Sequence, residues 1–218
     1  MVVADFQEHG RGQGDNAWQS ENGNNLLMSV LLYPEFLSAS LQFQLSVITS
    51  LAVCDTLKGF GVEPYIKWPN DILTGNGKIA GILIENGIME GLLTHAIIGI
   101  GLNVNQVAFP EYPLKATSLA CEKPEYYDPL QVARELVSRL MIRYTQLKEG
   151  NGPLQREEYL ASLYNLNKPA RFISGNRIFT GLIRGINEFG ELLVEEDNRL
   201  MAYGMHAISF LLQEHGRH

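Results

Sequence analysis

Positive charge is in short supply. The chain has 17 lysines and arginines against 24 aspartates and glutamates, a net charge of -7 and a pI near 5.3. Without a cationic surplus there is little to neutralise a phosphate backbone, so small molecules or another protein are the expected partners and nucleic acid is not. Cysteine is scarce too: Cys54 and Cys121 lie far apart, outside any CxxC or Cys/His cluster. That spacing argues against a structural zinc site and a disulfide framework, and predicts two reduced thiols in a cytoplasmic protein. No apolar run approaches the roughly 18 residues of a membrane span, and no basic segment followed by an apolar one opens the chain. His9, His95, His206, His215 and His218 share no ligand spacing, and repeats and low-complexity tracts are lacking.

Apolar material is sufficient for a core. With 218 residues, 24.4 kDa, 45% hydrophobic and 19% charged residues, the chain has the size of one moderate domain plus a small one. Met1 to Phe6 reads as the end of a strand already in progress, because Val2-Val3-Ala4 is apolar with no preceding turn or cap; residues before Met1 are expected in a longer ancestor. Gln7 to Gly23 is a polar, glycine-rich loop of a length that is uncommon unless functional or disordered. Asn25 to Tyr33 is a near-continuous apolar strand of a covered sheet, ended by Pro34. Leu41, Leu45, Ile48 and Ala52, with Leu51 and Cys54 on the adjacent face, recur at helical spacing, and Gly59 or Gly61 is the stop. Cys54 is then a core residue.

Tyr65 to Trp68 suits a buried strand that Pro69 ends, and Asn70-Asp71 begin a turn. Thr74 to Gly77 is a turn signal before the strand Lys78 to Glu85, in which Gly81 marks a close approach of ligand or backbone. Asn86-Gly87 predicts a second turn and Leu92 to Ile100 a further strand, leading into Gly99, Gly101, Asn103 and Asn105; successive hairpins make an antiparallel meander. After a proline-bearing loop over 106–127, Asp128 as N-cap and Pro129 in the first turn start a helix with the stripe Ala133, Leu136, Val137, Leu140, Met141, Tyr144 and Leu147. A shorter helix runs from Leu154 to about Tyr164. From Lys168 onward, period-two alternation with quick turns predicts a small barrel or sandwich, so two domains are expected, 1–166 and 167–218.

Lys67 is the only cation among apolar residues and turn formers between Tyr65 and Leu73, and a charge so placed needs an anionic partner. That partner is read as a bound ligand, weighed against Asp71 in a surface pair. Arg11, among the glycines of His9 to Gly14, can grip an anion bidentately, and Trp18 is an anchor or stacking platform.

HGRGQG, KWPND, GKIAGILIE and GIGLNVN, in this order and followed by a small β domain, resemble the biotin protein ligases over about Val2 to Leu212. The resemblance implies an α+β fold: a mixed, largely antiparallel sheet packed by helices, as in class II synthetase-like catalytic domains, with a small C-terminal SH3-like β-barrel. It implies a two-step ATP-dependent reaction through biotinyl-AMP, Mg2+ accompanying the ATP, transfer to a lysine of a biotin carboxyl carrier protein of acetyl-CoA carboxylase, and a homodimer as one admissible assembly. Two anions must meet in such a reaction, which calls for cations between them. By resemblance, Lys67 and Arg11 are the catalytic candidates. Gln7, Arg11, Gly12, Gln13, Lys67 and Gly81 carry over as biotin contacts, and Trp18, Asn70, Lys78, Gly99, Gly101 and Asn103 as ATP contacts. Asp71 is the Mg2+ candidate, beside its reading as a turn-capping carboxylate.

The pattern departs from the family in two places. A Ser/Thr-rich biotin-contacting segment that the family carries before the position of Met1 is missing, and Gly14-Asp15 stands where a basic residue and glycine are usual. No winged DNA-binding domain precedes the ligase motifs in these 218 residues. Two other readings stand beside the biotin ligase: a lipoate-type ligase of the same architecture, against which KWPND and GRG speak, and a truncated biotin- or nucleotide-binding module without turnover.

Overall fold

Apolar alternation and turn residues set the strands, and helical spacing sets the helices. In a computed structural model that describes residues 1–14, 17–112 and 114–211, the chain begins with β1 (Val2–Ala4), β2 (Gly10–Arg11), β3 (Ala17–Trp18) and β4 (Asn25–Leu32). Then come α1 (Phe43–Gly59), β5 (Tyr65–Lys67), β6 (Asp71–Leu73), β7 (Lys78–Met89) and β8 (Leu92–Asn103). A short α2 (Leu119–Glu122), α3 (Pro129–Lys148) and α4 (Gly152–Ala161) lead to β9 (Pro169–Ser174), β10 (Arg177–Ile186), β11 (Leu192–Glu196), β12 (Arg199–Tyr203) and β13 (Ser209–Phe210). Asp15, Pro113, His215 and His218 lie outside the described residues.

Six strands form one sheet in the order β1-β4-β8-β7-β6-β5, antiparallel at every named pairing. The parallel component of the expected mixed sheet is reduced to isolated bridges such as Ile66 to Leu163 and Lys78 to Ala116. One face of the sheet, with Leu26, Met28, Ile98, Ile100 and Leu102, is buried beneath the helices. α1 contacts the sheet as well as α3 and α4, so it is buried nearly all round rather than along one stripe. Its polar residues tolerate this because Thr49 and Thr56 donate to the carbonyls of Leu45 and Ala52. Cys54 sits in this core and burial pushes its thiol up to about 12. At the start of α3 the Asp128 carboxylate accepts from Leu130 N at 3.0 Å, as the cap reading requires; Met141, assigned to its buried stripe, is instead exposed.

The turn expected at Asn86-Gly87 is absent. The ladder runs on through it, with an irregularity between Gly87 and Ile88, and reverses at Glu90-Gly91, whose φ angles of 52° and 82° suit a two-residue hairpin loop. Gly87 serves another end: a Cβ there would collide with the His95 ring on the partner strand. The polar stretch Gln7 to Gly23 is likewise not all loop, since β2 and β3 pair within it.

The second sheet has the order β12-β11-β10-β9-β13, all antiparallel, around Phe172, Phe179 and Tyr203. Arg177 and Arg184 make exposed ion pairs with Glu196 and Glu195. Trp68 Nε1 donates to Gly190 O at 2.9 Å, and Phe43 of α1 packs on Gly190, which joins the two sheets. Among the described residues no helix is long and apolar enough to cross a membrane.

Candidate functional site

Strand register brings the candidate residues together. Reading straight across the large sheet, Leu27 opposes Gly101, Gly101 opposes Gly81, Gly81 opposes Asp71 and Asp71 opposes Lys67. Directly opposed residues share a face. The row two residues away runs Ser29, Gly99, Leu83. The open face of the sheet therefore has a floor of glycines and a charged end on β5 and β6.

Trp18 lies on that floor. A Cβ at Gly101 would overlap its indole, and one at Gly81 would stand 3.1 Å from its Cζ3. Lys78 Nζ sits 5.5 Å from the ring centroid. The indole Nε1 is buried and has no hydrogen-bond partner among the described residues.

At the charged end one carboxylate holds two ammonium groups. Lys67 Nζ lies 2.9 Å from Asp71 Oδ2 and Lys78 Nζ 2.6 Å from Asp71 Oδ1. Burial alone would push the Asp71 carboxyl up; Lys67 and Lys78 outweigh it and hold the group below the usual carboxylate range. The three side chains carry net positive charge in a half-buried wall, with the face of Phe210 5.3 Å from Lys67 Nζ on its other side. The partner of Lys67 is thus its own chain's Asp71, as the alternative reading had it, but the pair is sheltered in a cavity wall, with only 14% and 13% of the two side chains exposed.

Asp71 does not fit a metal ligand here. Each of its oxygens already accepts from an ammonium group, and those cations would repel Mg2+; no cluster of three acidic, histidine or cysteine side chains exists among the described residues. The turn before it is fixed independently: Asn70 Nδ2 donates to Ile82 O, and Ile82 N to Asn70 O, each at 2.9 Å. Asn70 thereby anchors the KWPND segment to β7. Asn103, buried at the end of β8, donates to Thr117 O at 2.9 Å.

Arg11 stands apart from these lysines. Its guanidinium makes a forked ion pair with Glu85 at 3.0 and 2.7 Å, on the exposed rim. Arg11 and Lys67 nevertheless line one cavity of about 850 Å³, together with Gln7, Gly12, Gln13, Trp18, Asn70, Asp71, Lys78, Gly81, Gly99, Gly101 and Asn103. A second cavity of about 530 Å³ shares His9, Arg11, Gly12, Trp18 and Glu85 with it and is also lined by Glu8. Every residue named as a biotin, ATP, metal or catalytic candidate therefore lines one cavity, whereas Asn105 of the GIGLNVN motif turns away to bond Tyr127 O.

Other parts of the wall come from segments that carry no motif. Met205, His206, Ile208 and Phe210 come from the end of the second sheet, and Phe109, Tyr112 and Leu114 from the loop before α2. Gln13 Nε2 reaches Met205 Sδ at 3.3 Å and Tyr112 OH donates to Gln19 at 2.8 Å, so both segments touch the β2-β3 region. No local pattern marks them.

Residues 1–103 match the biotin/lipoate A/B protein ligase family and residues 166–209 the biotin protein ligase C-terminal domain. The chain is 36% identical over 203 residues to the bifunctional ligase/repressor BirA of Bacillus subtilis, an alignment covering 89% of this chain and 61% of that one. The biotin--[acetyl-CoA-carboxylase] ligase of Paracoccus denitrificans is 30% identical over 207 residues, covering 88% of this chain and 82% of the relative. Among solved structures, the biotin protein ligase from Aquifex aeolicus in complex with biotin and ATP superposes with a TM-score of 0.80 at 26% identity, over 95% of this chain and 87% of that one. The chain spans about 61% of the length of the BirA relatives it matches.

Proposed function

Since the chain belongs to the biotin protein ligases, we propose that it activates biotin with ATP and transfers the biotinyl group to a lysine of a biotin carboxyl carrier protein. In the first step a biotin carboxylate oxygen attacks the α-phosphorus of ATP and pyrophosphate leaves. In the second, the carrier's lysine amine attacks the acyl carbon of biotinyl-AMP, the acyl C–O bond breaks, and AMP departs with the electron pair. Neither step needs a nucleophile from this chain.

One observation carries this reading: Lys67 and Lys78, clamped on Asp71, stand at the end of a glycine floor inside a cavity that also holds Arg11. Fixed ammonium groups let a carboxylate and a phosphate approach, and they are worth most where the surroundings are already ordered around them. The glycines of β7 and β8 leave room for a flat ligand, and the unpartnered Trp18 N–H offers a donor beside it. In this reading biotin lies along the β2 side with Gln7, Gly12 and Gln13, and the nucleotide along Lys78, Gly99, Gly101 and Asn103. Arg11 joins by exchanging Glu85 for the ligand's anion. Mg2+ arrives with the ATP phosphates, and the compartment is the cytoplasm.

The test is biotin-dependent exchange of labelled pyrophosphate into ATP. Exchange supports the reading; biotin binding without exchange replaces it with the binding module, and competition by lipoate rather than biotin replaces it with the lipoate-type ligase.

A further inference from the structure

The motif residues do not explain why the second sheet ends where it does. β13 is two residues long, paired to β9 through Ser209 to Ile173 and Phe210 to Phe172, and held further by Leu211 N donating to Arg171 O at 2.8 Å. Phe210 packs on Phe172, ring centroids 5.1 Å apart, and Phe172 is fully buried. The Phe210 ring is therefore fixed by the core of the small sheet, yet it lines the cavity of the large one.

There it meets Lys67 alone among the cations of the site. The Nζ lies 5.3 Å from the ring centroid, while Asp71 Oδ2 takes the same ammonium at 2.9 Å. A carboxylate without the ring leaves a four-carbon stem free to swing; the negative face of an aromatic ring limits that swing and needs no hydrogen bond from the ammonium, whose remaining N–H groups stay available.

We propose that Phe210 is a positioning residue: the small sheet holds its ring against Lys67 and so fixes the ammonium at the end of the glycine floor. The proposal rests on the ligase reading for its catalytic consequence but not for the contact itself. Phe210→Leu keeps the apolar bulk and removes the ring; Phe210→Tyr keeps the ring. Two measurements separate the cases. In protein carrying ¹³C-labelled lysine side chains, with the Lys67 signal assigned by its loss in Lys67→Arg, the ε-methylene resonance is expected upfield through the ring current, to move back in Phe210→Leu and to stay in Phe210→Tyr. In pyrophosphate exchange, Phe210→Leu is expected to lower kcat by about 2- to 30-fold, the range such a contact is worth, with KM for biotin within about twofold, and Phe210→Tyr to recover most of the rate.

A Lys67 signal that Phe210→Leu does not move overturns the contact. A moved signal with unchanged kcat overturns the positioning role. Equal losses in both variants, together with lowered thermal midpoints, overturn it in favour of plain packing. An unaltered chain that shows the displaced signal but no exchange overturns the ligase reading and supports the contact.

Discussion

The cations of the site are held in two different ways. Lys67 and Lys78 project from paired strands, are partly buried, and share one carboxylate that sits between them. Arg11 projects from a two-residue strand at the rim, is 70% exposed, and is held by Glu85 across the cavity mouth. The strand-borne pair is held by the chain's own carboxylate and ladder, and fixed charge of this kind is what stabilising a transition state demands. The rim cation is tied by an exposed ion pair worth only about 0.2–1 kcal/mol, a contact easily traded for a ligand's anion. One part of the site supplies geometry and the other supplies capture.

The severest challenge to that division is Lys67→Ala. Loss of a preorganised cation is expected to lower pyrophosphate exchange by about 10²- to 10³-fold; if Arg11→Ala costs more in kcat than Lys67→Ala, the assignment of geometry to the strands is wrong. Asp71→Asn comes next, with an expected loss of roughly tenfold or more from two weakened charge-assisted hydrogen bonds. It carries a pH signature as well. The Asp71 carboxyl is held below its ordinary range in the folded chain, so its stabilisation is complete at neutral pH and fades as pH falls below about 4. Acid unfolding of the unaltered chain is therefore expected to be steeper there than that of Asp71→Asn, and matching profiles would remove Asp71 from the clamp.

Smaller effects sharpen the floor and the rim. Gly101→Ala puts a methyl group into the space of the Trp18 indole, and a rise of about 5- to 10-fold in KM for ATP is expected from overpacking. Gly99→Ala meets only Leu83, its O at 3.4 Å and its Cβ at 3.9 Å, and is expected to be milder, so equal effects would mean that Trp18 is irrelevant to binding. Glu85→Gln frees Arg11 without touching the lysines. KM for biotin is expected to fall by at most about fivefold with kcat unchanged, and a rise would show that Glu85 itself serves the ligand.

How much of this was legible beforehand depended on the range of the interactions. Strand identity and the glycine floor follow from local pattern, and β4, β5, β7 and β8 lie close to where alternation and turn residues put them. The hairpin loop was misplaced because Asn86-Gly87 is a stronger local turn signal than Glu90-Gly91; the longer ladder prevailed because Ile88-Leu93 and Met89-Leu92 pairs extend it. Residues of the site borne on motifs were readable one by one. Asp71 as the partner of Lys67 was open to reading within KWPND; the distant partners were not, since Arg11 meets Glu85 across 74 positions and Lys67 meets Phe210 only after both sheets have formed. Phe210 sits in a run whose composition resembles any small sheet, and nothing local marks it.

Gly190 sits under Phe43 with φ of 84°, its carbonyl receiving the Trp68 indole N–H. Any side chain there would have to displace an aromatic ring of the other sheet's helix while adopting a backbone angle that L residues avoid. Severing the chain before β9 would likewise deprive that indole donor of its carbonyl acceptor. The seam thus ties the two sheets into a joint inheritance: neither can be swapped for a foreign module without rebuilding the residues that flank Lys67.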